Sequence, residues 1–206
     1  EGGRMNECTK ENVADLVEFG GEEYLFYKTP PADVAFIRAT YERFLPMVPS
    51  ENFLVVTNQN YKELVLEHIP ELNESQVLCE PIGRNTAPCI AYAAYSLKKI
   101  DPEAQMIVTP ADHLILNETE FHSIIGECQA FVEQSNALMT VGIKPSRPET
   151  GYGYIQKSNS DVISRVKCFT EKPNLELAQT FVECGEFFWN AGIFMFLVLL
   201  GIMVAL

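Results

Sequence analysis

Residues 77–113 read VLCEPIGRNTAPCIAYAAYSLKKIDPEAQMIVTPADH, and this run decides the fold. Val77-Leu78-Cys79 is a short apolar strand. Thr86 through Lys99 is a helix: Asn85 or Thr86 can cap it, and Pro88 fits its first turn. Ala87, Ala91, Ala93 and Ala94 let that helix pack close to a sheet or a ligand. Met106-Ile107-Val108-Thr109 is the next strand. Working outward, Phe53 to Thr57 is a buried strand and about Tyr61 to His68 a short helix. Asn117 with Glu120 has capping-box spacing before a helix to about Gln134. Ala137 to Gly142, Tyr154-Ile155-Gln156, Val162 to Thr170 and Phe187 to Phe196 are further strands. A helix from about Leu175 to Cys184 is stopped by Gly185. Strand–helix alternation through Gly142 predicts an α/β fold, with a mixed, mostly parallel sheet and helices on both faces. The strand-heavy second half predicts added antiparallel pairs. No repeat, low-complexity segment or linker interrupts the chain, so residues 1–206 read as one domain.

Composition narrows the function. With 47% hydrophobic and 21% charged residues the chain is globular. Its 15 Lys and Arg against 28 Asp and Glu give a net charge of −13. That charge excludes broad nucleic-acid binding, which needs sequence-independent phosphate attraction. It leaves room for one small anion held by a few local cations and a metal. The six cysteines show no C-x-x-C pair and read as small core residues in a reducing, cytoplasmic setting. His68, His113 and His122 form no zinc pattern. No secretory signal pattern opens the chain at Glu1. The uncharged run Ala191 to Leu206 is shorter than the roughly 20 residues that span a bilayer. It reads as a buried strand running into a core helix, with no membrane anchor.

Ligands of open α/β sheets bind beyond the carboxyl ends of the strands. Two loops fall there. Glu80-Pro81-Ile82-Gly83-Arg84-Asn85-Thr86 combines a glycine, a cation and a helix N-terminus, a seat for an anion or a base edge. It is equally an ordinary strand-to-helix loop with Arg84 paired to Glu80. Asp112, straight after the Met106–Thr109 strand, is placed to hold Mg²⁺, which favours one or two carboxylates plus phosphate oxygens. The alternative is a cap on the next helix. Three more stretches stand out. Thr150-Gly151-Tyr152-Gly153-Tyr154 permits close backbone approach to a ligand, or forms a simple turn. Glu171-Lys172 can meet a sugar hydroxyl and a phosphate, or be an exposed pair of little worth. Asn190 offers an amide to a ligand, or bonds to backbone.

In order, EPIGRNTAPCIAYAAYSL (Glu80 to Leu97), VTPADHLI (Val108 to Ile115), GIKPSRPETGYGYIQ (Gly142 to Gln156), VKCFTEKPNLELAQTF (Val166 to Phe181) and FFWNAGIFMF (Phe187 to Phe196) resemble the bacterial mannose-1-phosphate guanylyltransferases. RATYERF (Arg38 to Phe44) and the FLVVTN strand also look like this family. The likeness covers about Arg38 to Phe196. It implies the Rossmann-like nucleotide-diphospho-sugar transferase fold. It implies attack of mannose 1-phosphate on the α-phosphorus of GTP, giving GDP-mannose and pyrophosphate, with Mg²⁺ as cofactor. By this resemblance Glu80, Gly83, Arg84, Asn85 and Thr86 line the nucleotide pocket. Asp112 is the Mg²⁺ ligand. Gly153, Glu171 and Asn190 hold the sugar, and Lys172 lies near phosphate oxygens. A homo-oligomer is compatible with the likeness.

The ends depart from the family. It opens with a strand and a G-G-x-G-x-R-x-x-P loop, then a lysine in a P-K-Q-F-like segment. Here Gly2-Gly3-Arg4 lacks the spacing, Gly20-Gly21-Glu22-Glu23 offers acids, and Lys28 is out of context. No signature-loop residue is carried over. The family's second metal-binding Asp has no counterpart before Leu206. The expectation is a truncated or altered domain with weakened turnover, since each lost phosphate stabiliser costs about 10² to 10³ in rate. The alternative is a non-catalytic nucleotide or sugar-nucleotide module, or an inactive fragment.

Overall fold

The computed structural model describes residues 16–19, 22–25, 36–83 and 86–198. Gly2, Gly3, Arg4, Gly20, Gly21 and Lys28 lie outside them, as do the site candidates Arg84 and Asn85. Elements are numbered in chain order. The first is a pair of antiparallel strands, β1 (Leu16–Phe19) and β2 (Glu22–Leu25). Among the described residues, contacts divide the chain into two compact units. The larger takes residues 36–139 and 194–198, and the smaller takes residues 140–193 with the β1–β2 pair.

In the larger unit, helix α1 (Phe36–Phe44) precedes β3 (Val55–Asn58), α2 (Lys62–His68) and β4 (Val77–Glu80). Strands β3 and β4 pair in parallel, Val55 beside Val77 and Asn58 beside Glu80. The strand expected from Phe53 begins two residues late. The Phe53 carbonyl is taken by the buried Gln76 amide, Nε2 donating at 3.0 Å, so it is absent from the ladder. Gln76 Nε2 also reaches the Ser50 carbonyl, and its Oε1 accepts from Asn73, so this buried amide is satisfied on both ends. Tyr41, Val65, Ile69, Leu72 and Val77 bury one core here, with Tyr41 and Phe53 rings 4.7 Å apart.

Helix α3 (Thr86–Lys98) follows β4 and leads to β5 (Gln105–Val108) and α4 (Glu118–Ser135). Ala93 and Ala94 are buried against Met106, Phe196 and Val198, which is why this helix is alanine-rich: small side chains bring it close to the strands. Asn117 caps α4, its Oδ1 accepting from the Glu120 amide at 3.2 Å. Left-handed Asn136 ends the helix, and β6 (Met139–Ile143) follows.

In the smaller unit, β6 pairs with the long strand β9 (Phe187–Leu197). Strand β7 (Tyr154–Lys157) pairs antiparallel with β8 (Val166–Thr170) and with the first part of β9. The last part of β9 belongs to the larger unit, where it pairs antiparallel with β5. Strand β8 begins at Val166 and not at the expected Val162. Asn159 and Asp161 close a turn there, which leaves Val162 88% exposed. Helix α5 (Leu175–Cys184) is capped by Asn174 and stopped by Gly185 at φ 71°, as expected. Its Ala178 and Phe181 pack on Tyr154 and Trp189, and Phe181 stacks on Phe187 at 3.8 Å.

The α/β class and mixed pairing therefore stand. Among the described strands, however, β3–β4 is parallel while β5–β9, β7–β8 and β7–β9 are antiparallel. The expected predominance of parallel pairing is not seen there, because β9 returns beside both β5 and β7. Among the described residues no helix is long and apolar enough to cross a membrane. The uncharged run from Ala191 is strand to Leu197, with Val198 buried.

Candidate functional site

In the larger unit, Glu80 ends β4 half-buried, and the chain turns through Pro81, Ile82 and Gly83. A Cβ built on Gly83 would meet nothing within 4 Å, so its backbone faces open space. Thr86 opens α3, exposed, in the turn whose amides lack helical partners. Cys89 lies in the same turn; burial first, then the Glu80 charge, pushes its thiol up. The alternative reading of this loop pairs Arg84 with Glu80, and Arg84 is outside the described residues.

Asp112 sits on the loop after β5, exposed, and takes part in no hydrogen bond or ion pair among the described residues. The α4 cap is Asn117, so Asp112 is not that cap. Its loop is held from behind. Thr40 Oγ1 of α1 donates to the Ala111 carbonyl at 3.4 Å, and Arg43 Nη2 donates to the His113 carbonyl at 3.1 Å. Arg43 is 2% exposed. Burial pulls its pKa down, and Glu118, with Oε1 3.5 Å from Nε, offsets this in part. Burial likewise pulls His113 down. Sequence reading placed neither Thr40 nor Arg43 at a site.

In the smaller unit four candidates come together. Asn190 donates its backbone N–H to the Gly153 carbonyl at 2.7 Å. A Cβ on Gly153 would lie 3.1 Å from Glu171 Oε2 and 3.2 Å from the Phe169 ring, so any side chain there would press on both. Lys172 Nζ stands 3.6 Å from Glu171 Oε1, both side chains about two-thirds exposed. Lys172 has φ 40°, a left-handed conformation that a Cβ disfavours. Asn190 Oδ1 accepts from Thr140 Oγ1 at 3.0 Å and from the Gly192 amide at 3.1 Å. Its backbone-bonding reading thus holds for the oxygen, while Nδ2 has no partner among the described residues.

The Thr150–Tyr154 stretch singled out in the sequence is organised by Glu149, which sequence reading did not name. Its carboxylate accepts from the Gly151 amide at 3.0 Å and from Arg147 Nη2 at 3.2 Å. The Gly151 bond first, then Arg147, holds the carboxyl below the usual range despite some burial. Arg147 lies over the Trp189 ring and Tyr152 meets it edge-on at 5.5 Å. The sequence signal was there in RPETGYGY: an acid two residues before a glycine can cap that turn.

A single carboxylate beside open space fits Mg²⁺, which keeps waters and phosphate oxygens in its shell. Among the described residues no cluster of three His, Cys, Asp or Glu forms an all-protein metal site. The five described cysteines are all unpaired.

The family model described as nucleotidyl transferase matches residues 30–201. A mannose-1-phosphate guanylyltransferase from Escherichia coli is 39% identical over 173 residues, which cover 79% of this chain and 37% of that protein. The chain thus spans little more than a third of that relative. Among solved structures, mannose-1-phosphate geranyltransferase from Thermus thermophilus has a TM-score of 0.69 at 30% identity, covering 80% of this chain and 48% of that one. Mannose-6-phosphate isomerase from Helicobacter pylori has a TM-score of 0.72 at 31% identity, covering 85% and 65%. The match spans residues 30–201, well over half of the chain, and the chain belongs to the nucleotidyl transferase family.

Proposed function

We propose that this chain transfers a guanylyl group from GTP to mannose 1-phosphate, giving GDP-mannose and pyrophosphate. The observation that carries it is the 39% identity over 173 residues with a protein of that name. The arrangement of the candidate residues supports it. In the reaction a phosphate oxygen of mannose 1-phosphate attacks the α-phosphorus of GTP. The bond from that phosphorus to the bridging oxygen breaks, and pyrophosphate leaves with the electron pair. No covalent intermediate is needed, so the protein contributes positioning and electrostatics.

In this reading Glu80, Gly83 and Thr86 face the nucleotide, with Arg84 and Asn85 beside them. Gly153 and Glu171 accept sugar hydroxyls, through its carbonyl and its carboxylate, and Asn190 Nδ2 donates to one. Lys172 places its ammonium at phosphate oxygens. Asp112 would hold Mg²⁺, which when bound offsets the charge of the phosphates. Residues 1–206 are read as one nucleotidyl transferase domain, for which the family match over residues 30–201 speaks. A reducing cytoplasm is the setting that the unpaired cysteines support.

The test incubates the chain with GTP, mannose 1-phosphate and Mg²⁺ and follows pyrophosphate release. Release abolished by Asp112→Ala is the expected result. GDP-mannose binding by calorimetry without release would make the chain a binding module. Neither signal would overturn both readings.

A further inference from the structure

Arg43 is costly where it stands. Its Nε and Nη1 are buried without a hydrogen-bond partner among the described residues. Among the described residues its charge has one long ion pair, 3.5 Å to the half-exposed Glu118. A buried guanidinium so poorly matched favours unfolding, and an apolar side chain of similar length would pack there with less penalty. Among the described residues, the single hydrogen bond that its side chain donates goes to the His113 carbonyl.

Its surroundings hold it rigidly. His122 Nε2 on α4 donates to the Arg43 carbonyl at 2.6 Å, which pins the end of α1. Phe121 lies under the guanidinium at 5.9 Å and meets Phe44 edge-on at 5.4 Å. Thr40 stands one turn earlier on the same face of α1 and reaches the Ala111 carbonyl. Two side chains of one helix therefore grip the carbonyls on either side of Asp112. The Asp112 carboxylate itself stays exposed and uncommitted.

We infer that Thr40 and Arg43 are positioning residues that bracket Asp112 and hold its carboxylate ready for a divalent cation. The inference rests on the reading of Asp112 as the metal ligand. A partner that orients a ligand from behind typically carries tenfold or more in metal affinity.

The test uses the whole chain with Arg43→Met, Arg43→Lys, Thr40→Val and Asp112→Asn. Three quantities are read: the urea midpoint, amide exchange across residues 110–116, and Mn²⁺ affinity in the presence of GTP by electron paramagnetic resonance. Arg43→Met should keep or raise the midpoint, because it removes a buried, poorly paired charge. Exchange over 110–116 should rise about tenfold while α5 is unchanged. Mn²⁺ should bind about tenfold more weakly. Arg43→Lys, which can still reach one carbonyl, should recover part of both losses. A folded Arg43→Met chain with unchanged exchange overturns the inference. If that variant does not fold, Thr40→Val decides: faster exchange supports the bracket, unchanged exchange overturns it. Asp112→Asn with undiminished Mn²⁺ binding would instead sink the metal reading, and the bracket is then judged on exchange alone.

Discussion

The loops that carry Asp112 and Lys172 are built in opposite ways. The first is relaxed and gripped from a buried helix face, through Thr40 and Arg43. The second is exposed, and Lys172 takes a left-handed backbone with only a loose pair to Glu171 for company. One loop has its geometry imposed by the core, and the other stores strain at its own tip. In the proposed function Asp112 meets a cation, for which rigid support is a gain. Lys172 there meets a phosphate with a charge on a long stem, whose tolerance is larger.

The largest break in this comparison is expected from Phe121→Ala. It removes the platform under Arg43 and should lower stability by about 3–5 kcal/mol in urea titration. No side chain at the Lys172 tip should matter as much. There the sharper test is a pair: Lys172→Gly and Lys172→Ala both delete the charge, but only glycine relieves the backbone. Glycine should be the more stable variant by about 1 kcal/mol, measured by thermal unfolding. Equal stability would refute stored strain.

Gly153→Ala should cost less than about 1 kcal/mol, since its crowded neighbours, Glu171 and Phe169, are exposed enough to yield. Binding of mannose 1-phosphate by calorimetry should fall far more than stability does. The smallest effect is a pH dependence. Glu149 is held below its ordinary value of about 4.5. A depressed acid adds stability above its unfolded value and loses it as pH falls through the folded one. The wild type should exceed Glu149→Gln by less than about 1 kcal/mol at pH 7, because the ion pair is partly exposed. That gap should close below pH 4.5, read as the difference in urea midpoints between the two proteins.

Most strands and helices were legible because apolar runs and caps are local: Asn117, Asn174 and Gly185 mark helix ends as their side chains or backbone require. Helix α1 was not read as a helix, and its RATYERF stretch entered only through the family likeness. Arg38 on its outer side bonds Glu42 and Glu71, as a charged helix residue ordinarily does. Arg43 has the same chemistry and the opposite fate, and nothing local tells them apart. Its partner carbonyl lies 70 residues further on. The left-handed backbone of Lys172 gave no signal either, since lysine has no preference for positive φ. Its conformation belongs to the turn between β8 and α5, and Pro173 does not account for it, because a residue before proline is pushed toward extended backbone with negative φ. Glu80, Gly83, Asp112, Gly153, Glu171 and Asn190 were legible as candidates because strand ends and glycine turns are where ligands of α/β sheets bind, although Asn190 lies inside β9. Their mutual contacts were not, because pairings such as Gly153 with Asn190 come from sheet register.

Strand β9 gives the molecule a schedule. Its eleven residues complete the pairing of β7 at one end and of β5 at the other. During synthesis, neither unit has its full complement of strands until residues 187–197 have left the ribosome. Contacts that close over so long a stretch of chain form late. Both halves of the protein therefore finish folding on the same event, and a nascent chain arrested before Phe187 should expose the edges of both to chaperones.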